Sequence, residues 1–342
     1  MREVAHMMAG AMWNFTYAGY HGRIDPRDVL HKGMTDIGTV ISRLKDQVTA
    51  LAANQPLVSW GFDPIFLTGE RLNRHHLDKV ANDRPVIVLF CNMHLMCVNS
   101  TTLEMVEYTR ETNVEIGGKT NGIWNTSPTE IHSLCQTFQR HGIQMHIHAN
   151  GDEASSVVLA ALETAAQKHP WAGARHVLQH GQMMGADQFR RCAEQGLCAN
   201  LFSNHIWYFG DQHAAQTIGE DRARRMNAAR AALDAGVPLA IHSDAPITPM
   251  ASLFTAWCAV NRRTMSGRTL GEAQRITVDE ALYAITLGAA YTLKLDGEIG
   301  SIETGKVADF AVLGDDPTEV DPMALKDIPV LGTVSGGHVS LI

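Results

Sequence analysis

From residue 127 to residue 242 the sequence alternates helix-like and strand-like segments, and this alternation limits the fold more than any other feature. Between these strand-like runs lie segments with helical apolar periodicity. Strands separated by helices pair in parallel through right-handed crossovers. The pattern therefore predicts an α/β protein, either a β/α barrel or a doubly wound sheet. The predicted strands of this region are 143–148, 176–180, 197–202 and 237–242.

The glycine-rich motifs that bind phosphates are missing after these strands. The sequence has no Gly-x-Gly-x-x-Gly in those places and no Gly-x-x-x-x-Gly-Lys-Ser/Thr anywhere. Since such motifs mark dinucleotide and P-loop sites, their absence favours the barrel. Elsewhere, periodicity and capping residues predict helices at 36–53, 127–141, 220–235, 250–262 and 278–293, and β-prone runs at 57–61, 86–90, 309–313 and 329–340.

Composition excludes several classes of partner. The 28 basic residues against 36 acidic ones give a net charge of −8, which opposes nucleic-acid binding. No apolar run is long enough to span a membrane, and the first residues lack the apolar core of a signal peptide. None of the six cysteines forms a Cys-x-x-Cys pair, which is typical of a cytoplasmic protein. A small-molecule substrate is the expected partner, and homo-oligomerisation is left open.

Three of the four strands end in residue types that bind metals. Reactive groups gather at the carboxyl ends of parallel strands, and here these ends carry His146 with His148, then His180, then His242 with Asp244. Histidines and an aspartate from separate strands suit a catalytic zinc-type site with one position open for water. The alternative interpretation is a set of buried histidines that hydrogen-bond to the backbone.

Four motifs carry a resemblance to a known family. His-Ala-Asn-Gly-Asp-Glu-Ala, starting at His148, resembles the fifth-strand motif of the amidohydrolase superfamily, and more closely its amidohydrolase-3 branch, which includes N-substituted formamide deformylases. Gln-His-Gly-Gln around His180 and His-Ser-Asp-Ala-Pro from His242 are similar to later motifs of that branch. Gly-Ser-Ile-Glu-Thr-Gly-Lys-Val-Ala-Asp from Gly300 is similar to the family's ending.

The resemblance implies a TIM-like β/α barrel with a β-sandwich built from both chain ends. It also implies a divalent metal, most simply zinc, held by His148, His180 and Asp244, with His6 matching a first-strand histidine. Asp244 would also be the general base for metal-activated water. The implied reaction is hydrolysis of a non-peptide, amide-type C–N bond in a small molecule.

The chain departs from the family pattern in two places. Val4 stands where the first-strand motif has its other histidine, and Lys119 is the only lysine near the place of the fourth-strand ligand. We therefore expect a chain that looks truncated at its N-terminus and lacks barrel strands two to four, and one metal ion rather than two. Two explanations stay open: the chain is a truncated or decayed homologue, or the sequence omits segments of a longer one. The alternative function is an impaired or inactive homologue that acts as a binding protein.

The resemblance also divides the chain and nominates pocket residues. Residues 1–295 would form the incomplete barrel, with a family insertion at about 14–125, and 296–342 would form a small partial β-sandwich. Three histidines are candidates for the substrate pocket. They are His94, with a structural hydrogen bond as the alternative role, His205, with core packing as the alternative, and His242.

Overall fold

The computed structural model describes residues 10–107 and 125–341. Contacts within the chain define two compact units. The first takes in Met1–Glu115 and Asp244–Pro249, and the second takes in Ile116–Ser243 and Met250–Ile342. Among the described helices, none combines the length and the apolar character that crossing a membrane would need.

The first unit is built on a mixed four-stranded sheet. The strand Leu57–Phe62, one of the two inner strands, is buried along almost its whole length, as expected of a strand covered on both faces. The sheet order is β1-β4-β5-β6, in which only β6 runs antiparallel to its neighbour, and β2 and β3 form a separate antiparallel pair. The strands are β1 Thr16–Tyr17, β2 Arg23–Ile24, β3 Leu30–His31, β4 Leu57–Phe62, β5 Val86–Phe90 and β6 Met96–Val98.

The principal helix of this unit is α1, Ile37–Ala50, and it confirms the predicted helix at 36–53. It begins after Asp36, whose carboxylate accepts the backbone N–H of Thr39 at 2.8 Å and so satisfies one free donor of the first turn. Val40 and Leu44, one turn apart, are fully buried against the sheet core. Shorter helices are α2 Arg74–Asp78, α3 Ser100–Met105 and the 3₁₀ turn Pro64–Phe66.

The turn between β2 and β3 is organised by a buried carboxylate. Asp25 is 4% exposed and accepts the backbone N–H groups of Val29 at 3.0 Å and Arg27 at 2.8 Å. His31 Nε2 lies 3.2 Å from the same carboxylate. The Val29 N–H is the main reason why the pKa of Asp25 lies well below its usual range. The folded turn therefore favours the ionised form.

We expect Asp25→Asn to lower the stability of the protein at pH 7. Because the folded-state pKa is depressed, the ionised carboxylate stabilises the fold at every pH above the unfolded-state pKa of about 3.9. This gain is lost as the pH falls through the lower, folded-state pKa, so the difference between variant and wild type should shrink in acid. Urea unfolding midpoints at pH 7 and pH 3 measure it. The exposed neighbour Asp28, changed to Asn, is the control, and an equal difference at both pH values would contradict the prediction.

The second unit contains a parallel four-stranded sheet with the order β10-β9-β8-β7. These strands confirm the four predicted from the sequence, each shortened at its start. Before, between and after these strands lie helices, and the apolar sides of most of them join one large buried cluster with the sheet. The strands are β7 His146–Ala149, β8 Val177–His180, β9 Cys198–Phe202 and β10 Leu239–His242. The helices are α4 Pro128–Arg140, α5 Asp152–Lys168, α6 Ala186–Glu194, α7 His205–Gln212, α8 Glu220–Ala223, α9 Ala229–Asp234, α10 Ser252–Asn261, α11 Val278–Ile285 and α12 Leu287–Thr292, with a π-helical turn at His213–Thr217 and 3₁₀ turns at Glu272–Gln274 and Leu325–Asp327.

The two faces of this sheet differ in chemistry. Alternate residues such as Leu178, Leu201 and Leu239 are buried in the apolar cluster with the helices. The residues between them in sequence include Gln179 and Asn200, which are direct register partners across β8 and β9. Because a parallel sheet is usually covered on both faces, polar side chains along one face need hydrogen-bond partners.

Two long helices predicted from periodicity are broken in the structure. The prediction of one helix over 220–235 is wrong, since α8 and α9 are separated at Asn227, which adopts φ +49°. The prediction over 278–293 is also wrong, because Thr286 leaves the helical region between α11 and α12. Its hydroxyl donates to the Leu282 carbonyl at 2.6 Å and replaces the backbone bond that a continuous helix would make there.

Arg262 explains the first break. It is 1% exposed, and its guanidinium donates to the carbonyls of Asn227 at 3.0 Å, Met226 at 2.9 Å and Leu270 at 2.8 Å. Two of those carbonyls belong to the interrupted segment, so they point at the guanidinium instead of continuing a helix. Burial lowers the pKa of Arg262 to about 9, which still leaves it protonated at neutral pH. The neighbouring Gly271 has φ +72°, and a Cβ there would lie 1.9 Å from the Arg224 carbonyl oxygen.

The end of the chain forms a three-stranded antiparallel sheet with the order β11-β12-β13. It groups with the second unit. The predicted boundary at residue 295, the partial sandwich and the incompleteness of the barrel stay predictions, whereas the α/β class is confirmed. Among the described residues the strands form separate sheets of four, four, three and two strands. The last strands are β11 Phe310–Leu313, β12 Val330–Ser335 and β13 His338–Leu341.

All six cysteines are free thiols. Burial raises the pKa of the buried ones, to about 11 for Cys135 and Cys198 and about 12 for Cys192. A thiol with so high a pKa carries little thiolate at neutral pH and is chemically inert while it stays buried. These cysteines therefore act as small apolar residues of the core.

Candidate metal centre

The carboxyl ends of β8 and β10 bring two histidine rings together. His180 closes β8 and His242 closes β10, and their ring centroids lie 5.0 Å apart. Strict alternation along β8 would send His180 to the side opposite Gln179, but His180 adopts φ +71° and leaves the extended conformation. A non-glycine residue in the left-handed region costs free energy, and such residues concentrate at functional sites.

Asp244 completes a cluster of three metal-binding side chains. His180, His242 and Asp244 each offer one ligand atom, and these atoms all lie within 4.8 Å of one another. Asp244 follows the end of β10 by two residues and also has a positive φ, +55°. Within residues 10–107 and 125–341, no other group of three such side chains meets this criterion.

The spacing of the nitrogen atoms fits a tetrahedral ion. His242 Nε2 lies 3.2 Å from His180 Nδ1. Two nitrogens bound to zinc at 2.0–2.1 Å in tetrahedral geometry lie about 3.3 Å apart. Two imidazoles and one carboxylate also form a donor set that zinc accepts, with a fourth position left for water. The residues present therefore fit a divalent cation.

The electrostatics of Asp244 point the same way. Burial raises the pKa of its carboxyl group to about 6. A carboxylate that is removed from water gains stability from a nearby cation, which would restore its preference for the ionised form.

Of the four predicted metal ligands, two belong to the cluster, one lies beside it, and one is outside the described residues. His180 and Asp244 belong to the cluster, together with His242, which the sequence assigned to the pocket. The predicted ligand His148 lies beside them at the end of β7, with its ring centroid 4.5 Å from that of His180. His6 and Lys119 lie outside the described residues. The assignment of the metal to particular side chains therefore stays a prediction.

The two remaining pocket candidates differ in their surroundings. His94 is an exposed residue of the first unit, in the turn between β5 and β6. His205 belongs to an aromatic stack, since its ring lies on Phe202 with 4.9 Å between centroids, and Phe202 stacks in turn on His242 at 5.5 Å. Burial, followed by the charges of neighbouring histidines, holds the pKa of His205 well below its usual value.

Two further polar residues, Gln179 and Asn200, lie beside the cluster and were not among the site residues expected from the sequence. Asn200 Nδ2 donates to Gln179 Oε1 at 2.8 Å, and Asn200 Oδ1 lies 3.0 Å from His242 Nδ1. The sequence did contain a sign of these two residues, because each is an amide side chain within a mainly apolar strand. The strands read Val-Leu-Gln-His and Cys-Ala-Asn-Leu-Phe. Such a residue needs a hydrogen-bond partner when the strand is covered.

The segment after Asp244 is anchored within the first unit. The guanidinium of Arg23 donates to the carbonyls of Pro246 and Ile247. The same guanidinium lies 5.7 Å from the ring centroids of both Tyr17 and Trp60, which is within the range of cation–π attraction. Arg23 thus holds the backbone of Asp244–Pro249 to the aromatic residues of β1 and β4.

The sequence matches a known family profile and is similar to proteins of known name. A profile described as the amidohydrolase family matches residues 27–131 and 120–340. The chain is 32% identical to N-substituted formamide deformylase from Arthrobacter pascens over 213 residues, which is 62% of this chain and 39% of that protein. It is 30% identical to the putative amidohydrolase YtcJ from Bacillus subtilis over 224 residues, which is 64% of this chain and 41% of that protein. The chain thus matches about two fifths of the length of these relatives.

Solved structures agree on the fold. An uncharacterized metal-dependent hydrolase from Pyrococcus horikoshii OT3 matches with a TM-score of 0.66 and 17% identity, over 92% of this chain and 84% of that one. A second uncharacterized metal-dependent hydrolase, from Pyrococcus furiosus, matches with a TM-score of 0.56 and 16% identity, over 87% and 82%. At these identities the similarity concerns the fold alone. From the extent of the profile match, this chain belongs to the amidohydrolase family.

Proposed function

We propose that the protein is a metal-dependent hydrolase that cleaves an amide-type C–N bond, other than a peptide bond, in a small molecule. The observation that carries the proposal is the cluster of His180, His242 and Asp244 at the carboxyl ends of two parallel strands. The name of one relative, N-substituted formamide deformylase, suggests small N-acyl compounds as the first substrates to test.

His180, His242 and Asp244 would hold the cation, with His148 beside them as the ligand that the family motif implies. A divalent ion there supplies Lewis acidity toward the amide carbonyl and toward water. The nitrogen and oxygen donor set favours zinc, and a single cluster of three in the described residues favours one ion.

Asp244 has the proton-transfer role in this proposal. Its carboxylate accepts a proton from the attacking water and delivers it to the nitrogen of the leaving amine. Burial raises the pKa of this carboxyl group, and a bound cation would lower it again, so the carboxylate would be ionised and able to accept a proton at neutral pH. Phe202 and His205 would form an aromatic wall next to His242 and keep bulk water from one side of the reacting groups.

We also propose that the protein works in a reducing compartment, the cytoplasm. The support is six free thiols, of which Cys135, Cys192, Cys198 and Cys258 are buried. Disulfides would be expected in a protein with so many cysteines in an oxidising compartment. A homo-oligomer stays a prediction from the sequence analysis.

Metal analysis tests the proposed function directly. After incubation with zinc and removal of free metal, we expect about one zinc ion per wild-type chain. His180→Ala removes one of three clustered ligands and should retain less than about a tenth of that metal, because a site with two ligands binds weakly. His132→Ala is the matched control, since His132 is a half-buried histidine of α4 whose ring bonds the Pro128 carbonyl of its own helix. Wild-type protein that takes up no zinc would contradict the proposal.

A further inference from the structure

Polar side chains on all four strands of the second unit's sheet form one continuous line. The line starts at His146 on β7, passes through Gln179 on β8 and Asn200 on β9, and ends at His242 on β10. Gln179 and Asn200 are opposite each other in register, while each histidine meets its amide neighbour diagonally. This line of polar side chains ends at His242, one of the candidate metal ligands. The described residues on the other face of the sheet belong to the apolar cluster instead.

The distances along the line are those of good hydrogen bonds. Gln179 Nε2 lies 2.7 Å from His146 Nδ1, and Asn200 Nδ2 lies 2.8 Å from Gln179 Oε1. Asn200 Oδ1 lies 3.0 Å from His242 Nδ1. The side-chain nitrogens of Gln179 and Asn200 point toward β7, and their oxygens point toward β10. All hydrogen bonds of the line therefore run in the same direction, from β10 to β7.

The far end of the line fixes this direction. Burial lowers the pKa of His146, and a hydrogen bond to the backbone of Thr292 opposes this effect, as expected of a ring N–H that donates to a carbonyl. The Thr292 carbonyl also accepts from Gln144 Nε2 at 2.9 Å. A neutral imidazole has one N–H, so with that proton on Nε2 its Nδ1 must accept. Gln179 therefore presents its nitrogen to His146 and its oxygen to Asn200. Asn200 in turn presents its oxygen to His242.

We propose that Asn200 is a positioning residue for the metal centre, because its carbonyl oxygen keeps the proton of His242 on Nδ1. The lone pair of His242 then lies on Nε2, the atom that faces His180 Nδ1 at 3.2 Å. Gln179 and His146 hold the Asn200 amide in the required orientation. This inference rests on the proposed function, since it concerns the same centre.

The effect follows from the chemistry of imidazole. If the proton moves to Nε2, it occupies the lone pair that a cation needs, and the ring can no longer act as a ligand from that atom. Metal-binding histidines are usually held in one tautomer by an acceptor on their other nitrogen, and loss of that acceptor costs about 10–100-fold in metal affinity. Asn200 supplies such an acceptor from a strand next to the ligand.

The first test uses the metal-free wild-type protein and needs no variant to fold. Two-bond ¹H–¹⁵N correlation spectra of protein labelled with ¹⁵N-histidine distinguish the two tautomers. The His242 signals are identified by their disappearance in His242→Gln. We expect the Nδ1–H tautomer for His242, and a ring protonated on Nε2 would overturn the inference.

The second test compares zinc affinities by competition with a chromophoric chelator. Asn200→Leu has no acceptor and should bind zinc about 10–100-fold more weakly than wild type. Asn200→Asp restores an acceptor and should bind as tightly as wild type or more tightly. The matched control is Asn261→Leu, because Asn261 is a buried asparagine of the same unit that donates only to the backbone carbonyls of Trp257 and Pro322. Its zinc affinity should not change.

The outcomes separate the two proposals. Wild-type protein without zinc contradicts the proposed function, and the inference falls with it. Wild-type protein that binds zinc, together with an unchanged affinity in Asn200→Leu, overturns only the role of Asn200. A loss in Asn200→Leu that Asn200→Asp does not restore also overturns it, since packing rather than the acceptor would then be responsible. If the leucine variant does not fold, Asn200→Ala takes its place.

Discussion

The Asp244→Asn variant is expected to hydrolyse small N-acyl substrates about 10²–10⁴-fold more slowly than the wild-type protein, which is the usual contribution of one general base. Asparagine keeps the shape of the side chain and one oxygen that can act as a ligand, but it cannot accept a proton at neutral pH. The loss should therefore fall on kcat. The reasons for expecting this role are the half-buried position of Asp244 and its place in the cluster with His180 and His242.

The measurement is a steady-state comparison on a panel of N-substituted formamides and acetamides, with zinc content determined in the same samples. A variant that keeps its zinc and loses kcat identifies a base, while a variant that loses both identifies a ligand. Asp187→Asn is the control, because Asp187 is 84% exposed and pairs only with Arg190 on its own helix. Full activity in Asp244→Asn would contradict the proposed mechanism.

The Arg262→Met variant is expected to lose about 3–5 kcal/mol of unfolding free energy. Methionine fills a similar volume but leaves the carbonyls of Met226, Asn227 and Leu270 without their guanidinium donor. A buried acceptor without a partner costs about 1–3 kcal/mol. The carbonyls of Met226 and Leu270 would be left in that state, whereas the Asn227 carbonyl also accepts the Ala229 N–H at 2.9 Å. Arg262→Lys should lose less unfolding free energy than Arg262→Met but should still be less stable than wild type, since one ammonium group reaches fewer of the three carbonyls with good geometry.

Urea unfolding and calorimetry measure this effect. Arg263→Met is the matched control, because Arg263 is the next residue and its guanidinium bonds only the nearby Gly267 carbonyl in an exposed turn. It should change the free energy of unfolding by less than about 1 kcal/mol. A similarly small change in Arg262→Met would show that the three carbonyls find other donors, and the account of the break at Asn227 would then be wrong.

Local signals in the sequence were sufficient for most element starts. The capping box of Ser127 and Glu130 predicted the start of α4, because a cap acts within a single turn. Amphipathic periodicity over 36–53 predicted α1. The four strands of the second unit followed from apolar runs between helical segments. These features depend on neighbours within a few residues, so one sequence contains all the information they need.

The breaks in the predicted helices depend on partners far along the chain. The carbonyls of 226 and 227 are withdrawn from a helix by Arg262, which is 36 and 35 residues away in sequence. Periodicity over 220–235 carries no trace of that contact. The same holds for the candidate site, since His242 was recognised as a strand-end residue but its pairing with Asn200 depends on register between strands.

The free cysteines can be used to follow local unfolding of each of the two units. Cys91 and Cys97 lie in the first unit, whereas the other four lie in the second. For the four buried thiols, the rate of reaction with a thiol-modifying reagent follows local unfolding, and for the half-buried Cys91 and Cys97 local unfolding raises that rate. Mass spectrometry of the modified peptides would then time the opening of each unit separately in one sample. The same experiment with and without zinc would show which unit the metal stabilises.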